Sequence, residues 1–352
     1  GALILGKANL SEWAYYFCSG CPVGYSAVGG QTLNPYGRKV FETGGSSSGS
    51  GVTVAANFAV AAVGTETSGS ILSPSSQNSV VGLKPTIGLL SRTGIVPISS
   101  TLDTPGPMTK SVKDNAIFLS AMLGEDIEDA ATKGNDKQLN YIDSLSTSTL
   151  RGKRFGVITA LLADSIYKRT IQIIKRAGAE IVEFEQPKVG LNGFLTLLNI
   201  DMKQDLPDYL KNYADPTVEI SSVEDVVNLN LLDSIKRAPY GQQLFEGILN
   251  DTTSTEAFEL VKQNLYKNGI EFLNTPMEAY NLDAILSINN YHAGFAAVAK
   301  YPCLTVPMGY KKSDEPISLT FIAKPYQEQK LLQLGFAFEK LTKARKLPVN
   351  YK

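Results

Sequence analysis

Two glycine- and serine-rich clusters, GGSSSGSG at 44–51 and TSGS at 67–70, lie on either side of the run VTVAANFAVAAVG at 52–64. A solvated linker has no reason to carry such a run of small apolar residues, whereas a buried helix followed by a buried strand would. The clusters are therefore predicted to be two turns attached to buried elements. Turns on a rigid frame commonly carry catalytic groups.

The composition indicates a globular protein whose charge points to no polyanionic partner. Of the 352 residues, 43% are hydrophobic, and 33 basic residues balance 34 acidic ones to give a net charge of −1. No cluster of Lys and Arg is long enough to bind nucleic acid or an anionic membrane. No apolar run reaches the ~18 residues that a membrane-spanning helix needs. We expect a cytoplasmic protein that binds neither nucleic acid nor membrane, with its oligomeric state left open.

Cysteine and histidine are too scarce for most metal and redox sites. Cys18, Cys21 and Cys303 are too few and too unevenly placed for a disulfide framework, which favours a reducing compartment. The spacing CSGC matches a redox or zinc motif, but a zinc site would need all three cysteines and the single His292. A Ser-His-Asp hydrolase would also have to use His292, near which the sequence has no acidic residue or nucleophile motif. We expect no metal and no cofactor.

Apolar periodicity in the first half of the chain predicts alternating strands and helices. ALIL at 2–5 is predicted to be a strand, followed by a helix through WAYYF that Asn9 or Ser11 caps. FGVITA at 155–160 is predicted to be a strand that continues into an amphipathic helix and a second strand. Gly178 then lies near the end of that helix, and the three elements form a βαβ unit.

The second half has a helical stretch followed by strands. Ser221 and Glu224 are predicted to form a capping box, and the region from about 190 to 280 is predicted to be rich in helices. LDAILSI and YPCLTVPMGY are typical of buried strands, and LLQLGFAFEKLTKA is typical of a closing helix. The fold class is predicted to be α/β, without internal repeats.

The second cluster has the residues that acyl-transfer chemistry needs. A serine hydroxyl becomes a nucleophile when a base takes its proton, and its attack builds negative charge on the carbonyl oxygen. Thr67, Ser68, Gly69 and Ser70 can turn tightly enough to direct several backbone N–H groups at one oxygen, because glycine allows the necessary φ values. Taken alone, this tetrapeptide is more often an ordinary tight turn, so the longer pattern around it decides.

That longer pattern closely resembles the amidase signature family of serine hydrolases. The resemblance lies in GGSSSGS at 44–50, GTETSGSI at 64–71 and VGLKPTIGLLSRTGIVPIS at 81–99, with a gap of 24 residues from Ser46 to Ser70. It continues through STLDTPGPM to PCLTVPMGY and so covers nearly the whole chain. The spelling of the two clusters is most similar to the peptide amidase branch. The resemblance implies one large α/β domain over 1–352, in which helices flank a mixed central β-sheet.

The resemblance also implies a Ser-cisSer-Lys triad. Ser70 matches the position of the nucleophile, and Ser46 matches the bridging serine, which in the family follows a cis peptide bond. The backbone N–H groups of Thr67, Ser68, Gly69 and Ser70 would form the oxyanion hole. Such an enzyme would hydrolyse an amide through an acyl-enzyme on Ser70 and would need neither metal nor cofactor.

The lysine of the triad has no match in this sequence. In the family it lies in a segment similar to VKDN, further ahead of the bridging serine than this chain extends before Ser46. Lys113 stands in a VKDN, but Ser111 and Asp114 predict a capping box that would leave it exposed in the first turn of a helix. Lys7 and Lys84 match family positions that are not the base. We therefore expect that the segment with the lysine, and any signal peptide, lies ahead of Gly1 and is absent here.

Three departures from the family pattern affect the assignment. Ser47 is the nearest rival of Ser46, and Ser48 stands where the family usually has glycine. After the nucleophile many relatives have GSIR, and some that act on small acidic amides use a nearby arginine, whereas Leu72 follows Ile71 here. A neutral or peptide-like amide is the better expected substrate.

Other functions remain as alternatives. The chain could be a catalytically inactive pseudo-amidase, or the A-type subunit of a glutamyl-tRNA amidotransferase, which shares the catalytic core but works in a complex that binds tRNA. The absence of a basic surface disfavours the second alternative. A nucleotide-binding module is disfavoured because neither a P-loop nor a G-x-G-x-x-G motif with suitable flanks occurs.

Overall fold

An eight-stranded mixed β-sheet lies between layers of helices in the computed structural model of the chain, which describes residues 2–135 and 140–349. The strands are β1 (Tyr25–Ser26), β2 (Gly30–Gln31), β3 (Ala61–Glu66), β4 (Val81–Lys84), β5 (Thr104–Thr109), β6 (Arg154–Ile158), β7 (Glu180–Phe184), β8 (Ala284–Ile288), β9 (Cys303–Tyr310) and β10 (Pro316–Ile322). The helices are α1 (Ser48–Ala55), α2 (Leu72–Gln77), α3 (Val112–Met122), α4 (Ser165–Arg176), α5 (Phe194–Tyr213), α6 (Val223–Leu231), α7 (Ser234–Arg237), α8 (Gln243–Asn250), α9 (Thr255–Ala279), α10 (Ala293–Val298) and α11 (Glu328–Thr342). The predicted α/β class is confirmed.

The strand order of the large sheet is β3-β5-β4-β9-β10-β8-β6-β7. Every neighbouring pair from β3 to β8 is antiparallel, and β6 pairs in parallel with both β8 and β7. The predicted βαβ unit is therefore confirmed as β6, α4 and β7. Gly178 follows α4 at φ +94°, the left-handed conformation typical of a residue just beyond a helix end.

Apolar side chains cover both faces of the sheet. On one face α3, α4 and α11 bury residues such as Leu119, Ile171 and Phe338. On the other face α2, α10 and the second half of α9 bury Leu72 and Phe272 among others. The central strands β8 and β10 are buried along their whole length, as their continuous apolar sequences predict.

The region predicted to be rich in helices contains α5 to α9. These helices have an apolar cluster of their own, which includes Leu206, Phe245 and Leu265. The cluster also buries Phe17 and Leu102, which come from loops outside this region. The helices are thereby packed against the loops beside the two Gly/Ser clusters. No helix among residues 2–135 and 140–349 is long and apolar enough to cross a bilayer.

The run between the two clusters forms a helix and a strand, as predicted. The first cluster continues into α1, where a Cβ at Gly49 would lie 2.4 Å from the backbone oxygen of Asn9. Glycine is needed there because the helix packs directly on another segment of backbone. The strand is β3, which forms one edge of the sheet, so that Val60 and Val63 are exposed rather than buried as expected.

The predicted strand and helix at the start of the chain are wrong. Residues 2–5 have no regular secondary structure, and Leu3, Ile4 and Leu5 are 89%, 94% and 74% exposed. No described strand pairs with them, so their apolar sequence has no sheet to join. WAYYF begins with a single 3₁₀ turn, Glu12–Tyr15, in which the φ angles of three residues are positive.

Neither Asn9 nor Ser11 caps that turn. The Asn9 side chain donates to the backbone oxygen of Gly30 at 3.1 Å, and the Ser11 hydroxyl accepts from the backbone N–H of Gly24 at 2.8 Å. Both side chains are therefore engaged with the hairpin of β1 and β2.

The capping box lies one residue later than predicted. Ser222, not Ser221, caps α6, and its hydroxyl accepts from the backbone N–H of Asp225 at 3.1 Å. The Asp225 carboxylate accepts from both the N–H and the hydroxyl of Ser221, at 2.9 and 2.8 Å. The local sequence permits both registers, and these contacts select the second.

The packing of α2 on β4 leads to a stability prediction. A Cβ at Gly82 would lie 2.0 Å from Oγ and 2.8 Å from Cβ of Ser75, which is buried in α2. Gly82→Ala should therefore destabilise the protein by about 1–3 kcal/mol, because α2 must shift. Gly247→Ala, in α8 and with no atom within 4 Å of the new Cβ, should be neutral or stabilise by up to ~1 kcal/mol. Thermal unfolding of both variants measures this difference, and an unchanged midpoint for Gly82→Ala would contradict the packing of α2 on β4.

Candidate active site

A pocket of 310 Å³ lies beside the turn that joins β3 to α2. Gly44 and Gly45 of the first cluster and Thr67, Ser68 and Ser70 of the second all line it. The two clusters, separate in sequence, therefore meet at one pocket, whose outer wall includes apolar side chains of α5. Ser70 is partly exposed there, as a nucleophile must be to reach a substrate.

The turn that contains Ser70 is held by a buried carboxylate. Glu66, the last residue of β3, is 1% exposed and accepts from the backbone N–H groups of Ile71 and Leu72 at 2.7 and 3.0 Å. Burial raises the pKa of Glu66, and the charge of Lys84 and the backbone donors oppose that rise. Because this carboxylate takes up the N–H groups just after the turn, it fixes where the chain leaves Ser70.

The backbone donors predicted for the oxyanion hole are available for a ligand. Among the described residues, no hydrogen bond to another protein group uses the backbone N–H of Thr67, Ser68 or Ser70. Gly69 lies at φ +90°, where a side chain is strained, and a Cβ there would lie 3.0 Å from the amide nitrogen of Asn290. Glycine is therefore required for both conformation and space at the centre of the turn.

A second buried carboxylate holds the start of the same turn. The Thr67 hydroxyl donates to Asp103, whose other oxygen accepts from the backbone N–H groups of Ile98 and Ser99 at 2.8 and 2.9 Å. Burial raises the pKa of Asp103 to about 6 in spite of these donors, and the charge of Asp205 adds to the rise. Sequence reasoning missed both Glu66 and Asp103. The only signal was a lone acidic residue within each otherwise uncharged stretch, GTETSGSI and STLDTPGPM.

Ser46 lies beneath the pocket. The peptide bond between Gly45 and Ser46 is cis, as the resemblance implies, and Ser46 is 0% exposed. Its hydroxyl has no hydrogen-bond partner within the part of the chain that the structure describes. The resemblance would lead one to expect a hydrogen bond between the Ser46 and Ser70 hydroxyls, and that expectation is wrong for this conformation. The two serines are nevertheless neighbours, because the backbone N–H of Ser47 donates to the Ser70 carbonyl at 3.2 Å.

The other two serines of the first cluster have structural partners. The Ser47 hydroxyl both accepts from the N–H and donates to the carbonyl of Thr65, at 3.0 Å in each case. The Ser48 hydroxyl donates to the Gly44 carbonyl at 2.7 Å. These bonds attach the start of α1 to β3 and to the preceding loop, and they direct both hydroxyls away from a role in chemistry.

None of the three lysines considered as a base contacts Ser46. Lys84 is fully buried, and burial lowers its pKa, but its amine donates to the Tyr301 carbonyl at 2.7 Å. Lys7 and Lys113 are exposed. The capping box predicted around Lys113 is confirmed, since the Ser111 hydroxyl accepts from the backbone N–H of Asp114.

The cysteines and the histidine lie in separate places. Cys18 and Cys21 are joined as a disulfide across 5.6 Å between their Cα atoms, whereas Cys303 is a buried free thiol in β9. This single short bridge differs from the expected reduced state, and its Cα separation is suitable for a disulfide. His292 shares a 2.6 Å hydrogen bond with Ser287, and burial lowers its pKa to about 4. Within residues 2–135 and 140–349, no group of three or more His, Cys, Asp or Glu side chains could hold a metal.

Comparisons with known proteins give one consistent result. The family model described as Amidase matches residues 1–287. The chain is 37% identical over 366 residues to a probable amidase of Arabidopsis thaliana, with 99% of this chain and 69% of that protein covered. It resembles the solved structure of an amidase family protein from Bacillus anthracis, with a TM-score of 0.94, 40% identity, and 99% and 70% of the two chains covered. It also resembles the native peptide amidase of Stenotrophomonas maltophilia, with a TM-score of 0.93, 36% identity, and 99% and 76% covered.

The buried Asp103 should make stability depend on pH. Since burial raises its pKa from 3.8 to about 6, the folded protein holds the proton more tightly than the unfolded chain does. The contribution of Asp103 to the free energy of unfolding is therefore fully present below about pH 4 and is lost as the pH rises through 6. Relative to Asp103→Asn, the wild-type protein should lose on the order of 2 kcal/mol between pH 4 and 7. Urea unfolding of both proteins across this range measures the difference, and a constant difference would contradict the prediction.

Proposed function

The chain belongs to the amidase family of hydrolases that act on amide C–N bonds, and we propose that it cleaves a carboxamide or peptide-like amide through an acyl-enzyme on Ser70. The observation that carries this proposal is the turn around Ser70. It places a partly exposed serine beside free backbone N–H groups in a pocket, and two buried carboxylates hold it. A fixed set of donors beside a nucleophile is the arrangement that stabilises a developing oxyanion.

In the proposed reaction the Ser70 oxygen forms a bond to the carbonyl carbon of the amide. The proton of Ser70 passes to the Ser46 oxygen, while Ser46 gives its own proton to the base. The carbonyl oxygen becomes an oxyanion that accepts hydrogen bonds from the turn formed by Thr67, Ser68, Gly69 and Ser70. The C–N bond then breaks as the leaving nitrogen takes the proton from the base. Water attacks the ester that remains, which releases a carboxylate and restores Ser70.

Ser46 suits the role of relay because its buried hydroxyl needs a partner. A buried polar group without a hydrogen bond costs free energy, and such groups are rare. Ser46 and Ser70 are linked through the bond from the Ser47 N–H to the Ser70 carbonyl, so rotation about one Cα–Cβ bond can bring the hydroxyls together. The base in this proposal is a lysine amine that is not among those of the described residues, because Lys84 is bound elsewhere and Lys7 and Lys113 are exposed.

The lining of the pocket favours a neutral or peptide-like substrate over an acidic one. No Lys or Arg of the described ranges lines it, so a substrate carboxylate would meet no positive charge. The outer wall has the apolar side chains of Ile98, Phe194 and Leu198, which can bury the side chain of a peptide residue. The likeness to a peptide amidase structure agrees with this substrate class.

Ser70→Ala should abolish the reaction in the full-length protein. A fluorophosphonate probe, which phosphonylates nucleophilic serines, should label the wild-type protein at Ser70 and leave Ser70→Ala unlabelled. Ammonia release from a peptide amide should fall by about 10³-fold or more, while the circular dichroism spectrum stays unchanged. Labelling at Ser47 or Ser48, identified by mass spectrometry of the modified peptide, would show that the nucleophile is assigned to the wrong serine.

A matched pair of variants tests the relay. Ser46→Ala removes the hydroxyl in the proposed proton path and should lower kcat by about 10²- to 10⁴-fold, the usual value of general-base help. Ser47→Ala removes the neighbouring hydroxyl, which bonds only the backbone of Thr65, and should lower stability by about 1 kcal/mol with kcat reduced less than tenfold. Steady-state kinetics and thermal unfolding separate these effects. If both variants lose kcat equally, Ser46 has no special place in proton transfer.

A further inference from the structure

One charged side chain, Glu42, lines the pocket that contains Ser70. The described lining residues are otherwise apolar, aromatic, hydroxyl- or amide-bearing, or glycine. Glu42 is exposed, and no ion pair or side-chain hydrogen bond engages its carboxylate within residues 2–135 and 140–349. Its backbone carbonyl is fixed, because it accepts from the Asn34 side chain at 2.7 Å. The pocket thus has one negative charge that is not needed to hold the fold.

Glu42 lies close to the reacting groups along the chain. It precedes Gly44 and Gly45, which also line the pocket, and stands four residues before Ser46. Even a fully extended backbone places the Glu42 and Ser46 Cα atoms within about 14 Å of each other. The negative charge of Glu42 also acts on the opposite wall, where burial first and then Glu42 raise the pKa of the Tyr15 hydroxyl.

We propose that Glu42 makes this pocket selective for amides that carry a positive charge near the scissile bond. The inference rests on the amidase activity proposed above and specifies its substrate class. A cationic side chain or ammonium group in the pocket would be attracted by the carboxylate, and an anionic group would be repelled. No positive charge of the described lining cancels this preference. Glu42 therefore determines specificity, and it takes no part in bond making or breaking.

The size of the preference follows from the geometry of an open pocket. Two unit charges separated by several ångströms at the edge of solvent interact weakly enough to change binding by about tenfold. The effect should appear mainly in KM, because the charge acts on the bound substrate as much as on the transition state. It should also weaken in salt, since the Debye length falls to about 3 Å at 1 M.

The test uses the full-length protein and acetylated dipeptide amides, Ac-Ala-Xaa-NH₂ and Ac-Xaa-Ala-NH₂, in which Xaa is lysine, norleucine or glutamate. The three side chains differ in charge and little in length, and the two series place the charge on either residue. Ammonia release gives kcat/KM for each probe. In at least one series, the wild-type protein should prefer lysine to norleucine by about tenfold and norleucine to glutamate by a similar factor, and 0.5 M NaCl should reduce both ratios.

Two charge-matched variants complete the test. Glu42→Gln should bring the lysine-to-glutamate ratio close to one, and because this ratio is internal to one variant, a loss of folded protein cancels. Glu183→Gln removes the same charge from an exposed site on β7, the opposite edge of the sheet from β3, and should keep the wild-type ratio. A ratio in Glu42→Gln equal to that of the wild type, or a wild-type protein that does not favour lysine, would overturn this inference and leave the amidase proposal standing. Release of no ammonia from any probe would overturn both.

Discussion

The bonds from the Glu66 carboxylate to the backbone N–H groups of Ile71 and Leu72 are the interaction on which the site depends. They close the turn between β3 and α2, and Ser70 lies inside that turn. The carboxylate is fully enclosed, so its hydrogen bonds are stronger than they would be in water, and a lost partner would leave a buried charge unsatisfied. The rest of the sheet supports this arrangement, since β4 and β5 hold α2 and β3 in place.

The helices α5 to α9 are connected to the same turn through a second carboxylate. Asp103 receives the Thr67 hydroxyl and the N–H of Ser99, and the Ser99 hydroxyl in turn donates to Asp201 of α5. One turn further along α5, Asp205 accepts from the N–H of Ser100 at 2.6 Å. A helix that also lines the pocket is thus joined by hydrogen bonds to the donors of the proposed oxyanion hole. Movement of α5 on substrate binding would therefore be felt at the turn.

The pocket and the two carboxylates divide the charges of the site by function. Glu66 and Asp103 are buried, have several donors each, and hold backbone. Glu42 is exposed and free of partners among the described residues, and it faces the space that a substrate would enter. Burial explains the difference, because a buried carboxylate must be satisfied by the protein whereas an exposed one is available to a ligand.

The sequence by itself determined the α/β class, the βαβ unit around Gly178, the strands β8 and β9, and the candidate residues Ser46 and Ser70. These follow from apolar periodicity, from turn residues and from the spelling and spacing of two local clusters, which are all properties of nearby positions. Only the tertiary structure decided which elements meet. It left ALIL without a partner strand, moved the cap of α6 from Ser221 to Ser222, and made β3 an edge strand. It also brought Glu66, Asp103 and Glu42 to the site, because hydrogen bonds and pocket walls join residues that are distant in sequence, and no local pattern records such contacts.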